Sequence, residues 1–531
     1  MSDNSENEKL EQSYGQKLIE KLTRELCEQH TLFHDTQKQP YIAINHSGAK
    51  VLALNENDFK SWLLAERMEA GEYISTHAID EIAKRLQAIA IYKSRDLRPL
   101  SVRIHRIDNR SGLPEELWYD LGGEDGLAVH ITKSGYTIEE PPIIFRKYDH
   151  QHEQAKPRAK DGGKLDDLFE LINLTERADK VAFTVFLVSC YIDRFPKPVL
   201  LIRGTNGSGK STPMRILHNL IDPSELEAGT PLVRDNGELA RIANKCAVLH
   251  WDNIDGREIT PEVSNAICRI TSGQAFARRV LYTNDDDAIF KGQRPVMLNG
   301  IGKLVEREDL LDRCLIFNTK RISEDERKTE AEIFAKLEEM KPYLLHEIFM
   351  TLSKVLSIYP TVNLADSHRL ADFDKLGYAI CEAIDGYSGE EWLKISDKVF
   401  KRQVESAFEA SAVAQIAKFL VDRSKFHFWE GTATDMLNFR LAEDDNYLET
   451  PEDKNLKQSI KDNPTFPKNP SSLGIRLNRA ESTLRSLGIV IEHSRDGKDV
   501  YKDGARWITL KDYGWIKSNE KPQDNGIVCP F

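Results

Sequence analysis

The chain has 531 residues, with 73 basic and 85 acidic side chains giving a formal net charge of -12, and its mean hydropathy is -0.48. That length exceeds what one hydrophobic core serves, so several domains are expected, while the acidic balance speaks against a chain coated with nucleic acid along its whole surface. No apolar run approaches the roughly 20 residues needed to span a bilayer, and the polar, acidic start lacks the basic leader and apolar core of an export signal, so a cytoplasmic protein with no membrane partner is the expectation.

Residues 1–160 read as an N-terminal α+β domain with a linker. Short β-like runs at Tyr41–Ile44 and Val51–Leu54 are followed by helical periodicity through Phe59–Leu64 and Ile79–Ile91, then by strand-like pieces between Leu100 and Glu139. His105 and His130 fall on strands there and read as packed or surface histidines. The stretch 150–163, HQHEQAKPRAKDGG, is polar, carries proline and a glycine pair, and predicts a linker. Residues 161–325 then form an α/β core, 326–410 a helical lid or bundle, 411–511 a C-terminal helical and winged-helix-like region, and 512–531 a polar tail. Cys27, Cys190, Cys246, Cys268, Cys314, Cys381 and Cys529 are scattered without any CxxC spacing, which predicts reduced thiols rather than a zinc site or disulfide frame.

The apolar run Val199–Ile202 leads directly into Gly204-Thr205-Asn206-Gly207-Ser208-Gly209-Lys210-Ser211, a match to GxxxxGK[ST], followed by Thr212. Glycines at these places let successive backbone N–H groups point at phosphates, and the following helix presents its positive end. Lys210 is expected to reach the β and γ phosphates of ATP, and Ser211 to ligate Mg²⁺. A second strand ending in a carboxylate is needed to hold the metal, and Cys246–Trp251 followed by Asp252 supplies it. The usual next acid is replaced by Asn253; either Asp255 orients the attacking water or hydrolysis is slow. A third short strand, Pro295–Leu298, ends in Asn299-Gly300 and offers Asn299 as a sensor beside the γ-phosphate, the alternative being a plain Asn-Gly turn. Arg313, with Arg307 second, could enter a neighbouring subunit's site, unless Asp312 or Glu308 holds it locally.

Taken in order, the phosphate loop, LHWDN, PVMLNGI and EDLLDR resemble the ATPase core of AAA+ proteins, and among them the superfamily-3-like helicases of phages, plasmids and integrative elements. The run from Gly273 to Ile301, with RLADF, WEGTATDML and PKNPSSLGIRLNRAESTLRSLGI, is similar to a bacterial family of ATP-binding, primase-helicase-like proteins. The resemblance implies an ATP-driven ring, a hexamer of identical chains with shared sites, and DNA, single-stranded or forked, in the pore. It makes Arg369 a candidate second sensor, and it implies a DNA-touching hairpin between the second and third strands. Arg278, Arg279 and Lys291 flank that hairpin here, but its middle carries Asp285, Asp286 and Asp287, which would repel phosphates.

The last unit predicts an amphipathic helix over Ser472–Leu487, with Leu473, Leu477, Leu484 and Leu487 inward, Arg476, Arg479 and Arg485 outward and Gly488 as its stop. Two strand-like runs follow, the order of a winged helix, and nine basic residues face five acidic ones between Lys468 and Lys511. The whole predicts an α/β P-loop, AAA+-like ATPase core with an N-terminal α+β domain and a C-terminal winged-helix-like domain. Its expected function is an ATP-dependent DNA helicase or replication-initiator-like translocase of a mobile element. The alternatives are an AAA+ remodelling or phage-defence ATPase, and a nucleotide-switched DNA-binding regulator with little turnover.

Overall fold

Ile19, Leu22 and Leu26, spaced three and four apart, give a buried stripe to a helix that the polar leader did not suggest, α1 (Ser2–Gln29). A computed structural model describes all residues except 1, 36–37, 45–49, 95–97, 99, 206, 275, 280–286, 291, 301–303, 306, 324, 326, 365–369, 442–447, 494–506 and 514–531. The chain divides into two compact units: Met1–Ile254 with Ala266–Ile301 and Phe317–Ser396, and Asp255–Asn265 with Gly302–Ile316 and Asp397–Phe531. Among the described residues no helix is long and apolar enough to cross a membrane.

The first unit opens with the antiparallel sheet β1 (Thr31–His34), β2 (Pro40–Ile44) and β3 (Lys50–Ala53). It shares a core with α1, α2 (Asn57–Glu69) and α3 (Thr76–Tyr92) through Ile42, Leu63 and Ile82. Ser75 caps α3 by accepting from the Ala78 N–H. Next comes β4 (Leu100–Ser101), which pairs with β9, and then the meander β5 (Ile104–Asp108), β6 (Pro114–Asp120), β7 (Ala128–Thr132) and β8 (Gly135–Glu139), closed by β9 (Ile144–Phe145). These strands fall where alternation and turn residues predict them.

Following α4 (Arg177–Ser189), the apolar run becomes β10 (Val199–Gly204), which leads to α5 (Ser211–Ile221), α6 (Asn236–Ala243) and β11 (Leu249–Ile254). Then follow α7 (Pro261–Ser272), the hairpin β12 (Phe276–Arg279) with β13 (Asp287–Phe290), β14 (Val296–Gly300), α8 (Glu308–Leu311) and β15 (Cys314–Thr319), of which α8 and the first residues of α7 and β15 count with the second unit. The sheet order is β11-β14-β10-β15, with β14 parallel to both β10 and β11. Continuous apolar burial along β10 and β14 is what a parallel sheet covered on both faces demands. The expected hairpin is present as β12 and β13, although its acidic tip, with Asp285 and Asp286, lies outside the described residues. The helices α9 (Glu330–Ile358) and α10 (Ala371–Ala383) continue the unit, and α11 (Gly389–Ala410) runs out of it.

A buried ion pair joins the N-terminal strands to the parallel sheet. Arg103 Nε lies 3.2 Å from Asp222 Oδ1, and both side chains are 1% exposed. Nη1 donates to the Asp120 carbonyl, and Nη2 to those of His152 and Pro223. Asp222 caps the end of α5 and also accepts from the Ala247 N–H at 2.7 Å and from Gln151 Nε2 at 2.9 Å, so one carboxylate fixes both the end of α5 and the entry to β11. The stretch 150–163 has no helix, as its composition implies, but it is no loose linker. Gln154 is buried and donates to Tyr119 Oη at 3.1 Å and to the Leu220 carbonyl at 2.9 Å.

In the second unit α12 (Ala412–Arg423) is followed by β16 (Phe428–Thr432), α13 (Ala433–Leu437), α14 (Pro451–Lys461), α15 (Pro470–Arg479), α16 (Glu481–Ser486), β17 (Ile489–His493) and β18 (Trp507–Asp512). The strands form an antiparallel sheet of order β16-β18-β17. The single helix expected over 472–487 is two helices meeting at Ala480, with Leu473, Leu477 and Leu484 buried as expected. Arg476 is turned inward to the Thr465 carbonyl, Arg485 pairs with Glu481 at 2.8 Å, and Arg479 is exposed.

Removing one member of a buried pair leaves the other charge uncompensated, at a typical cost of about 3–5 kcal/mol. Arg103→Met is therefore expected to lower unfolding stability by about that much in urea titrations. Acid should act at the same junction. Burial holds the His250 imidazole down to about 3 and lowers that of His218. Burial would raise the Asp222 carboxyl, but Arg103, His218 and two hydrogen bonds outweigh it and the net shift is downward. All three groups bind more protons when unfolded than folded over their shifted ranges, so stability rises with pH there. The histidine contribution is complete above about 6.5 and is lost as pH falls from there towards about 3. Urea midpoints measured from pH 7 to pH 4 should fall, and His250→Phe should reduce the slope.

Candidate functional site

Everything at the site hangs on the turn from β10 into α5. Gly204 leaves β10 so tightly that a Cβ there would stand 2.4 Å from both Ser208 Oγ and Thr319 Oγ1, so no larger residue fits without displacing the loop. Ser208 is fully buried, and its Oγ meets Thr319 Oγ1 at 2.9 Å, while Thr319 donates onward to the Arg203 carbonyl at 3.1 Å. Asn173 Nδ2 donates to the Ser208 carbonyl at 3.2 Å and to the Lys320 carbonyl at 2.7 Å. Gly207 and Gly209 both hold the left-handed backbone, at φ 75° and 71°. Asn206 lies outside the described residues. Lys210 turns its Nζ to the Thr205 carbonyl at 2.9 Å, and Ser211 and Thr212 form the first turn of α5.

Ser211 Oγ donates to Asp252 Oδ1 at 2.9 Å across the top of the sheet. Gly229 packs directly behind that acid, since a Cβ there would lie 2.9 Å from the Asp252 Cβ. β14 runs between β10 and β11 in register Ile202 to Asn299, so Asn299 comes up beside the loop. Its side chain is 1% exposed, and Oδ1 accepts from the Asn253 N–H at 2.7 Å, where β11 bulges and Asn253 adopts φ 53°. Asn299 Nδ2 is buried with no hydrogen-bond partner among the described residues. An amide that clamps a strained backbone and keeps a free donor is more than an Asn-Gly turn requires.

Asp255 and Arg313 fall in the second unit. Asp255 caps a short 3₁₀ turn, and Arg257, pairing with it at 2.9 Å, holds its carboxyl down to about 2. Arg313 directly precedes β15, its N–H donates to the Leu310 carbonyl, and its Nε is buried with no hydrogen-bond partner among the described residues. Arg307 is engaged locally by Asp309 at 3.0 Å. Arg369 lies outside the described residues. Sequence reasoning missed Asn173, Gly229 and Thr319. Thr319 had a faint signal in ending the apolar run of β15, and the other two have none without the fold.

Lys210, the loop amides and the start of α5 make a cradle suited to a polyphosphate. Ser211 and Asp252 offer the hard oxygens that magnesium prefers. Among the described residues no group of three or more His, Cys, Asp or Glu could hold a metal. A cation here would therefore rest on Ser211 and Asp252 and fill its shell with water and phosphate oxygens, the usual arrangement for magnesium.

These features define a glycine-rich strand–loop–helix turn in a mixed α/β protein with a parallel sheet. Residues 165–394 match the family described as the actinomycete integrative conjugative element replication protein, and residues 410–523 match the AICE RepA C-terminal domain. Over these two segments, which stand in that order and span about two thirds of the chain, it is similar to replication proteins of mobile elements. No curated protein matches the chain. Among solved structures, the apo A form of the NrS-1 C-terminal region is 13% identical, with 92% of this chain and 97% of that one covered at a TM-score of 0.41. The JCV helicase is 12% identical over 44% of this chain and 59% of that one, at a TM-score of 0.23. Likenesses this slight fix neither fold nor activity.

Asn173 ties the phosphate loop to the segment following β15 through two hydrogen bonds. Each is worth about 0.5–1.5 kcal/mol, so Asn173→Ala should leave global stability nearly intact while the Ile322 amide, which donates to the Gly207 carbonyl, exchanges its hydrogen markedly faster.

Proposed function

We propose that the chain is an ATP-dependent DNA helicase or replication-initiator-like translocase of a mobile element, built on an AAA+-like core. The observation that carries this reading is the 2.9 Å contact between Ser211 Oγ and Asp252 Oδ1 beside the Lys210 loop. A hydroxyl and a carboxylate in contact, beside a loop that carries a lysine, support this reading, because a nucleoside triphosphatase needs a metal-ligating hydroxyl, an acid and a phosphate-binding lysine together. Mg²⁺, when bound, would neutralise phosphate charge. Lys210 and the loop amides orient the phosphates, Asp252 and Ser211 hold the cation, and Asn299, whose Nδ2 has no partner among the described residues, fixes a water or a γ-phosphate oxygen.

DNA as partner is supported by the similarity to replication proteins. It is also supported by the C-terminal order of α15, α16, β17 and β18, which suits a winged helix with Arg479 exposed. The ring rests on Arg313 as a residue acting in a neighbouring subunit.

A second reading, a nucleotide-switched regulator with little turnover, is favoured by one specific feature. Asn253 stands where a water-activating acid is usual, and the next acid, Asp255, is occupied by Arg257.

ATP turnover measured alone and with single-stranded or forked DNA separates the two. The helicase reading expects stimulation of several-fold with strand displacement, and a loss of roughly two orders of magnitude or more on Asp252→Ala; turnover indifferent to DNA ends it. Background turnover with intact DNA binding selects the regulator. If the site is shared, mixing Arg313→Ala and Lys210→Ala subunits should restore part of the activity that each lacks alone.

A further inference from the structure

In the strap after β15, which ends at Thr319, Lys320, Ile322 and Arg327 stay close to the phosphate loop. The Ile322 N–H donates to the Gly207 carbonyl at 3.4 Å, and Ile322 Cδ1 stands 3.0 Å from where a Cβ on Gly209 would be. Asn173 fastens the start of this strap to the loop through the Lys320 and Ser208 carbonyls, and Lys328 Nζ fastens its end to the Glu170 carbonyl at 2.9 Å. Between those fastenings Arg327 Nη2 lies 3.0 Å from the Cβ position of Gly207. A guanidinium therefore sits directly against the phosphate loop, supplied by the same chain. Arg327 is exposed, and among the described residues no carboxylate pairs with it. Elsewhere on this surface comparable arginines are paired: Arg215 with Glu227 and Glu330, and Arg177 with Glu391.

An arginine fork matches phosphate oxygens with two parallel hydrogen bonds, and a cation beside a ring of inward N–H donors adds to a field already arranged for an anion. We propose that Arg327 is a nucleotide-binding residue that meets the polyphosphate of the bound nucleotide in cis, as a second cation beside Lys210. This rests on the reading of residues 204–212 as a nucleotide site. It differs from the Arg313 assignment, because Arg327 needs no neighbouring subunit and acts in a monomer.

The test measures binding of ATP and of inorganic tripolyphosphate, each with magnesium, to the full-length chain at concentrations where it is monomeric. Arg327→Ala is expected to weaken both ligands by roughly tenfold, with Arg327→Lys retaining part of the affinity. Arg321→Ala, which removes an equal charge from the same strap, should change neither. As Arg327 is exposed, an unchanged thermal midpoint is expected and shows that the variant folds. Unaltered binding of both ligands by Arg327→Ala overturns the proposal, as does weakened ATP with unaltered tripolyphosphate, which would place the guanidinium on the base. Wild-type protein that binds neither ligand overturns the nucleotide reading itself, and this inference with it.

Discussion

One buried charge pair sets the geometry on which the candidate site depends. Asp222 ends the helix that begins at the phosphate loop, and its carboxylate also grips Ala247 at the entrance to the strand that carries Asp252. A naked carboxylate at that depth would be costly, and Arg103, reaching in from the meander with φ 62°, offsets the charge while tying in the 150–154 segment. The far end of α5 and the start of β11 are thereby locked to one another. Their near ends are where Ser211 and Asp252 meet at 2.9 Å. Contacts at one edge of the sheet thus fix a distance at the other.

The loop side is held by a separate set of contacts. Ser208, Thr319 and Asn173 hold the cradle in shape through side-chain hydroxyls and one amide. Buried networks of this kind specify a single arrangement when every member is satisfied. Asn299 stands outside that network, and its buried Nδ2 has no hydrogen-bond partner among the described residues.

Much of this was legible beforehand. Parallel strands buried on both faces read as apolar runs, and Val199–Ile202, the run ending at Trp251 and Pro295–Leu298 were visible as such. So was the order of their polar ends, because each ends where the chain must turn. That β14 lies between β10 and β11 is given only by the sheet order. The helix α1 was not anticipated, since its stripe of Ile19, Leu22 and Leu26 emerges from a polar leader. The segment 150–163 read as a linker because Pro and Gly signal irregular backbone. Composition does not register that Gln154 has a buried partner.

By itself the sequence determined the local chemistry: a glycine-rich loop between an apolar strand and a helix, a carboxylate at a strand end, an amide at another, and a winged-helix-like order of elements near the C-terminus. Those features are written in residues close together in the chain, where periodicity and turn preferences act. Only the tertiary structure decided that Arg103 neutralises Asp222 across more than a hundred residues, that Asn173 and Thr319 shape the loop, that Arg476 turns inward while Arg479 stays exposed, and that Arg327 lies against Gly207. Each of these depends on two distant segments meeting, and the pairing of a charge or an orphan donor is a property of the packed core that no local window contains.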